Sequence, residues 1–151
     1  MFKIQYKLIP SARMVCVLVV DDVSGETIAD YVEEVLAWNA DIVTWNSVTD
    51  LRLHVGNIGP DAIRRMGHTL ERALCGRRGG RAAVVSHNTG LRFLLNLARL
   101  FIPGHELRAF SDMETAYAWA VGQDAVSDDD PEYRELPSHM VPAGWGRPVA
   151  A

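Results

Sequence analysis

From Phe2 to about Ala120 the hydrophobic period of this chain switches repeatedly between two residues and three to four. Each period buries one face of one kind of element, so a chain patterned this way closes a core by laying helices across a sheet. Phe2, Ile4, Tyr6 and Leu8 alternate with Lys3, Gln5 and Lys7, as in a half-buried strand. Pro10 and Ser11 turn the chain into an almost wholly apolar run, residues 14–20, which stops at Asp21 and Asp22. The start therefore reads as an antiparallel hairpin.

In SGETIADYVEEVLAW the period changes. Ile28, Val32, Val35 and Leu36 share a helical stripe, and Glu26 and Asp30 lie near the positive end of the helix dipole. A strand follows at residues 42–49 or 48–54; the polar Asn46, Ser47 and Asp50 leave both registers open, and Trp38 and Trp45 are expected over the edge of the core. Pro60 begins a helix with Ile63, Met66, Leu70 and Leu74 inward and Gly76 as its stop. The run RAAVVS suits a central strand covered on both faces. LRFLLNLARLF is a helix broken by Pro103 and Gly104, and residues 105–110 are a last short strand. Ser111, Asp112, Met113 and Glu114 read as a capping box for a helix through Trp119. The order β-β-α-β-α-β-α-β-α predicts an α/β fold with a mixed sheet of about five strands, its hairpin followed by right-handed parallel crossovers.

A chain of 151 residues, 48% hydrophobic, is large enough for one unstapled core. That core is assigned to residues 1–120, and residues 121–151 form an acidic, Pro/Gly-rich C-terminal tail. Tyr133, Leu136, Met140, Val141 and Trp145 give the tail enough apolar surface to pack on its own domain or on a neighbouring subunit. A net charge of −4 offers no general attraction to nucleic acid or an anionic membrane. Charge is nevertheless divided: residues 60–110 hold nine Arg and three acidic residues, whereas residues 111–151 hold eight acidic residues and two Arg. No apolar run reaches membrane-spanning length and the start lacks a signal core, so a cytoplasmic protein without membrane insertion is expected. Cys16 and Cys75 are expected as buried thiols rather than a bridge.

The hairpin with MFKIQY, the strand GGRAAVVS and the ending LRAFSDMETAYAWA resemble the SpoIIAA-like branch of the STAS (anti-sigma-factor antagonist) superfamily, small cytoplasmic bacterial domains. The ending is similar to that family's Arg-x-Phe-x-Asp-x-x-x-Ala-x-x-Trp, here Arg108, Phe110, Asp112, Ala116 and Trp119. The resemblance covers residues 2–120 and implies a fold more directly than an activity. Signalling members carry a phosphorylatable Ser or Thr after a central strand, often preceded by Asp. Asp50 matches that aspartate, but no Ser or Thr lies between it and Asp61, a departure that argues against a phospho-switch. Some relatives resemble lipid carriers and imply a small apolar ligand as a possible cargo.

Two strand-to-helix junctions are candidate ligand rims, because helix N-termini present free amides there. One comprises Asp50, His54, Gly56, Asn57 and Gly59; the other comprises Ser86, His87, Asn88 and Thr89. A hydrolase would use Ser86 or Thr89 as nucleophile, His87 or His54 as base and Asp50 to orient it. SHNTG lacks the Gly-x-Ser-x-Gly elbow, and a plain helix cap at Ser86 or Thr89 is the simpler account. Neither H-x-x-x-H nor H-E-x-x-H spacing occurs among the five histidines, and no cofactor motif is present, so neither a metal nor a cofactor is expected. The helix after Ser86 carries more apolar residues than one sheet face requires. Phe93, Leu97, Leu100 and Phe101 are its interface candidates, with Arg64, Arg65, Arg77 and Arg78 tuning encounter by charge. The resulting expectation is a non-enzymatic regulatory or protein-interaction domain, pairing with itself as a homodimer or with another protein. The alternative is a carrier of a small lipid or nucleotide.

Overall fold

The computed structural model describes residues 3–100, 102 and 104–122. Phe2, Phe101 and the tail beyond Gly122 lie outside them. Among the described residues five strands form one mixed sheet in sequence order: β1 (Ile4–Ile9), β2 (Met14–Asp21), β3 (Asn46–His54), β4 (Arg81–Val85) and β5 (Glu106–Phe110). β1 and β2 are the antiparallel hairpin, and every later pairing is parallel. A 3-10 turn at Pro10–Ala12 joins the hairpin, with Arg13 in the left-handed region. The helices are α1 (Gly25–Trp38), α2 (Pro60–Leu74), α3 (Thr89–Ala98) and α4 (Met113–Val121). The predicted element order is the observed one. The open register at the third strand resolves to residues 46–54, preceded by a 3-10 turn at Ala40–Thr44.

Sequential strand order has a direct consequence. The three parallel crossovers all step the same way across the sheet, and right-handed crossovers stepping one way put their helices on one face. α1, α2 and α3 accordingly bury Ile28, Ile63 and Leu95 against Val15, Val19 and Leu51. α4 covers the opposite face, where Ala116 and Ala120 pack over Val48, Ala83 and Val85. Alternation along each strand supplies both layers, odd positions of β2 to one and Met14 and Cys16 to the other.

Several local choices differ from the sequence reading. The cap of α4 is Asp112, whose carboxylate accepts from the Thr115 amide at 2.8 Å; Ser111 is not the capping residue of a box. Trp38 is more than half exposed rather than over the core. Cys16 is buried, and desolvation raises its pKa to about 11, but Cys75 is exposed at the end of α2.

Arg65 fastens α2 to α1. Its guanidinium reaches Glu26, Asp30 and Glu33, three carboxylates on successive turns of α1, at 3.4, 2.5 and 3.0 Å. Removing the cation leaves those carboxylates repelling one another along one helix face. Arg65→Ala is expected to lower the thermal midpoint, with added salt narrowing the gap to the natural chain. A midpoint unchanged at low salt would contradict the fastening role.

Candidate functional site

Asp50 is 4% exposed on the α4 side of β3. Its neighbour pairs reveal a bulge: Leu18 faces Asp50 but Val20 faces Leu53, so β3 carries one extra residue between them. The bulge brings Arg52 back onto Asp50. One carboxylate oxygen accepts from the Arg52 amide and Nε, both at 3.0 Å, and the other from Nη2 at 2.9 Å. Such a bidentate pair compensates a buried charge, and it occupies the carboxylate that would have oriented a catalytic histidine.

The rest of the first rim is a latch between two loops. His54 Nε2 bonds the Val23 carbonyl, the Val55 amide donates to Asp21 O, and the Gly25 amide donates to Asn57 O. A Cβ at Gly56 would come within 2.5 Å of Val23 O, so only glycine allows this approach. Gly59, at the start of α2, faces open space.

The second rim is equally self-contained. Ser86 is 2% exposed, and its Oγ accepts from the Asn88 amide at 3.1 Å. Asn88, not Ser86 or Thr89, caps α3, accepting from the Leu91 amide at 3.0 Å. Arg92 donates to Ser86 O and to Thr89 Oγ1, while His87 stays at the surface. The hydrogen bonds of Ser86, His54 and Asp50 thus lead to different partners and assemble no relay. Among the described residues no three His, Cys, Asp or Glu side chains converge as a metal cluster.

Two features outside those rims have the geometry of a site. The first is the outward face of α3. Leu91, Leu95 and Ala98 form its buried stripe. Phe93 and Leu97, with Leu100 in the turn that continues the helix, lie half a turn away and are 66%, 45% and 73% exposed. Phe101 falls outside the described residues. Of the four arginines proposed beside this face, Arg65 is held by α1, and Arg77 binds the Leu74 and Ala73 carbonyls and Asp41. Arg64 and Arg78 remain at the surface in long, exposed pairs with Asp61 and Glu106, which contribute little.

The second feature is a cavity of about 230 Å³ between the sheet and α1, α2 and α3. Ser47 and Thr49 of β3 and Ala82 of β4 form part of its floor; Val35, Met66, Leu70 and Leu95 are among its helical walls. None of the nine rim residues lines it. Only Ile58 and Leu91 connect it with the junctions that sequence reasoning singled out. The available signal was the small and weakly polar residues at inward positions of the central strands.

His105 stands at the edge of this cavity, with Nε2 donating to the Val43 carbonyl at 3.0 Å. That bond leaves Nδ1 as the unprotonated, buried nitrogen. Desolvation lowers the His105 pKa below its usual 6.5, against a smaller raising effect of the Val43 bond. Below about pH 6.5 the unfolded chain binds a proton that the folded chain refuses, so stability rises with pH across that window and falls as pH drops. The urea midpoint is expected to decrease between pH 7 and pH 5.5, and His105→Gln to flatten that slope. Equal slopes in both proteins would remove His105 as its source.

The fold has a counterpart among solved structures. An uncharacterised protein of the DUF3478 family from Shewanella loihica PV-4, described as having a SpoIIAA-like fold, matches 80% of this chain and 95% of its own at a TM-score of 0.52 and 19% identity. This chain has a SpoIIAA-like fold. No family model and no curated protein matches it. The C-terminal residues Arg108, Phe110, Asp112, Ala116 and Trp119 have a common physical role in this fold. The Arg108 guanidinium lies 5.4 Å from the centre of the Trp119 ring, Phe110 packs against the same ring at 5.5 Å, Asp112 caps α4, and Ala116 is fully buried beneath it. These residues clasp α4 to the sheet. Among the described residues no helix is long and apolar enough to cross a membrane.

Proposed function

We propose that this chain is a non-enzymatic interaction domain that pairs with a second copy of itself through the outward face of α3. The observation that carries the reading is the exposed stripe of Phe93, Leu97 and Leu100, opposite the stripe that the same helix already buries. Large exposed apolar clusters on a folded domain mark interaction surfaces. The stripe itself carries no charge, so a two-fold copy meets no like-charge repulsion along it. The sheet edges suit pairing less well, since Lys3 precedes β1, Lys7 lies on it, and Glu106 and Arg108 lie on β5. Sedimentation equilibrium of the full chain is expected to give twice the chain mass. A strict monomer at high protein concentration would overturn the reading.

A second reading, carriage of a small ligand, is supported by one specific observation, the cavity beneath α1, α2 and α3. It lies between the sheet and these helices, away from the two strand-to-helix rims.

A further inference from the structure

We infer that the core cavity takes a single small, uncharged, apolar molecule, of the size of one aromatic ring or a short aliphatic alcohol. This inference rests on the carriage reading and supplies its ligand class. Three properties of the cavity decide the class. Its volume of about 230 Å³ exceeds the roughly 150 Å³ that accommodates benzene in an apolar core. It falls short of the roughly 300–1,000 Å³ of pockets for larger ligands, so a long-chain lipid or a nucleotide has no room. Among the described residues no Asp, Glu, Lys or Arg lines it, so a carboxylate or phosphate inside would be left without a counter-charge.

The polar groups on the wall are uncharged, and they include the phenols of Tyr6 and Tyr31 and the indole of Trp45. Ser47 and Thr49 offer hydroxyls from β3, and His105 is kept neutral by its burial. They tolerate one hydroxyl or ring N–H on the ligand but do not demand a charge. Apolar walls also hold water poorly, so entry of an apolar molecule displaces little that is well bound.

The test is a titration of the full chain with benzene, indole and hexan-1-ol, and separately with decanoate, followed by thermal midpoint and by methyl NMR. Saturable one-to-one binding of at least one of the three neutral probes is expected, with a raised midpoint. Methyl shifts should move at Val35, Leu70 and Leu95 and stay in place at exposed Val55. Ala82→Leu, which extends a side chain from the floor into the space, is expected to weaken that binding at least tenfold. Should the variant fail to fold, the methyl map of the natural chain decides. Absence of saturable binding by all three probes, or shifts confined to the surface, overturns the ligand class. If decanoate binds instead, or native mass spectrometry of freshly purified protein finds a longer-chain lipid, the class fails while carriage stands. If nothing binds or is retained, both fail.

Discussion

Under the proposed pairing through α3, a chain carrying Phe93→Lys and Leu97→Lys is expected to sediment as a monomer at concentrations where the natural chain sediments at twice its mass, its association weakened on the order of a thousandfold or more. Burying a Phe or Leu side chain contributes about 1.5–3 kcal/mol. A two-fold interface counts each substitution twice, so four apolar side chains are lost and four ammonium groups confront one another. Even after discounting for incomplete burial, more than about 4 kcal/mol of association disappears, which corresponds to a factor of about a thousand. Folding of the single chain should hardly change. Both residues are solvated already, at 66% and 45% exposure, and surface substitutions of this kind usually stay within about 0.5 kcal/mol. At residue 97, in the last turn of α3, lysine also complements the helix dipole. Unaltered far-ultraviolet circular dichroism together with a halved mass constitutes the expected result, with the thermal midpoint lowered only by the loss of the stabilisation that association gives the folded chain. A dimer that survives both substitutions would place the interface elsewhere.

The order of elements was legible because period and punctuation agree. Alternation in β1, the stripe at Ile63, Met66 and Leu70, and stops at Pro10, Gly76 and Gly104 all point to the elements observed. The register of β3 was not legible, because its polar residues answer to distant partners. Asn46 Oδ1 accepts from the Arg81 amide at 2.8 Å, Ser47 and Thr49 face the cavity, and Asp50 is neutralised across the bulge by Arg52. Their hydropathy therefore says little about position in the sheet. The two-sided character of α3 was legible from its excess of Leu and Phe. The cavity was not, since the small residues Ser47, Thr49 and Ala82 hint at space but its volume depends on how side chains from nine elements and loops meet. The rim polar residues illustrate the converse. Ser86, Asn88 and Thr89 are grouped as a site would be, yet they serve a cap and a turn.

Replacing Ala116 by leucine is expected to cost about 1–3 kcal/mol, a fall of roughly 4–12 °C in the thermal midpoint. Ala116 and Ala120 are both fully buried, and the strand residues beneath them, Ala83 and Val85, are fully buried as well. Small side chains on both sides set the close distance between α4 and the sheet. Three extra carbons at residue 116 require either an unfavourable rotamer or a lifted helix. Lifting α4 would separate Trp119 from Phe110, 5.5 Å away, and from the guanidinium groups of Arg81 and Arg108, each 5.4 Å from its ring. Ala118 supplies the control, since it lies on the exposed face of the same helix and leucine there adds no buried volume. Ala118→Leu should therefore leave the midpoint near that of the natural chain. If residues 116 and 118 tolerated leucine equally, α4 would not be seated as described, and Arg108, Phe110 and Trp119 would need a role other than clasping this helix.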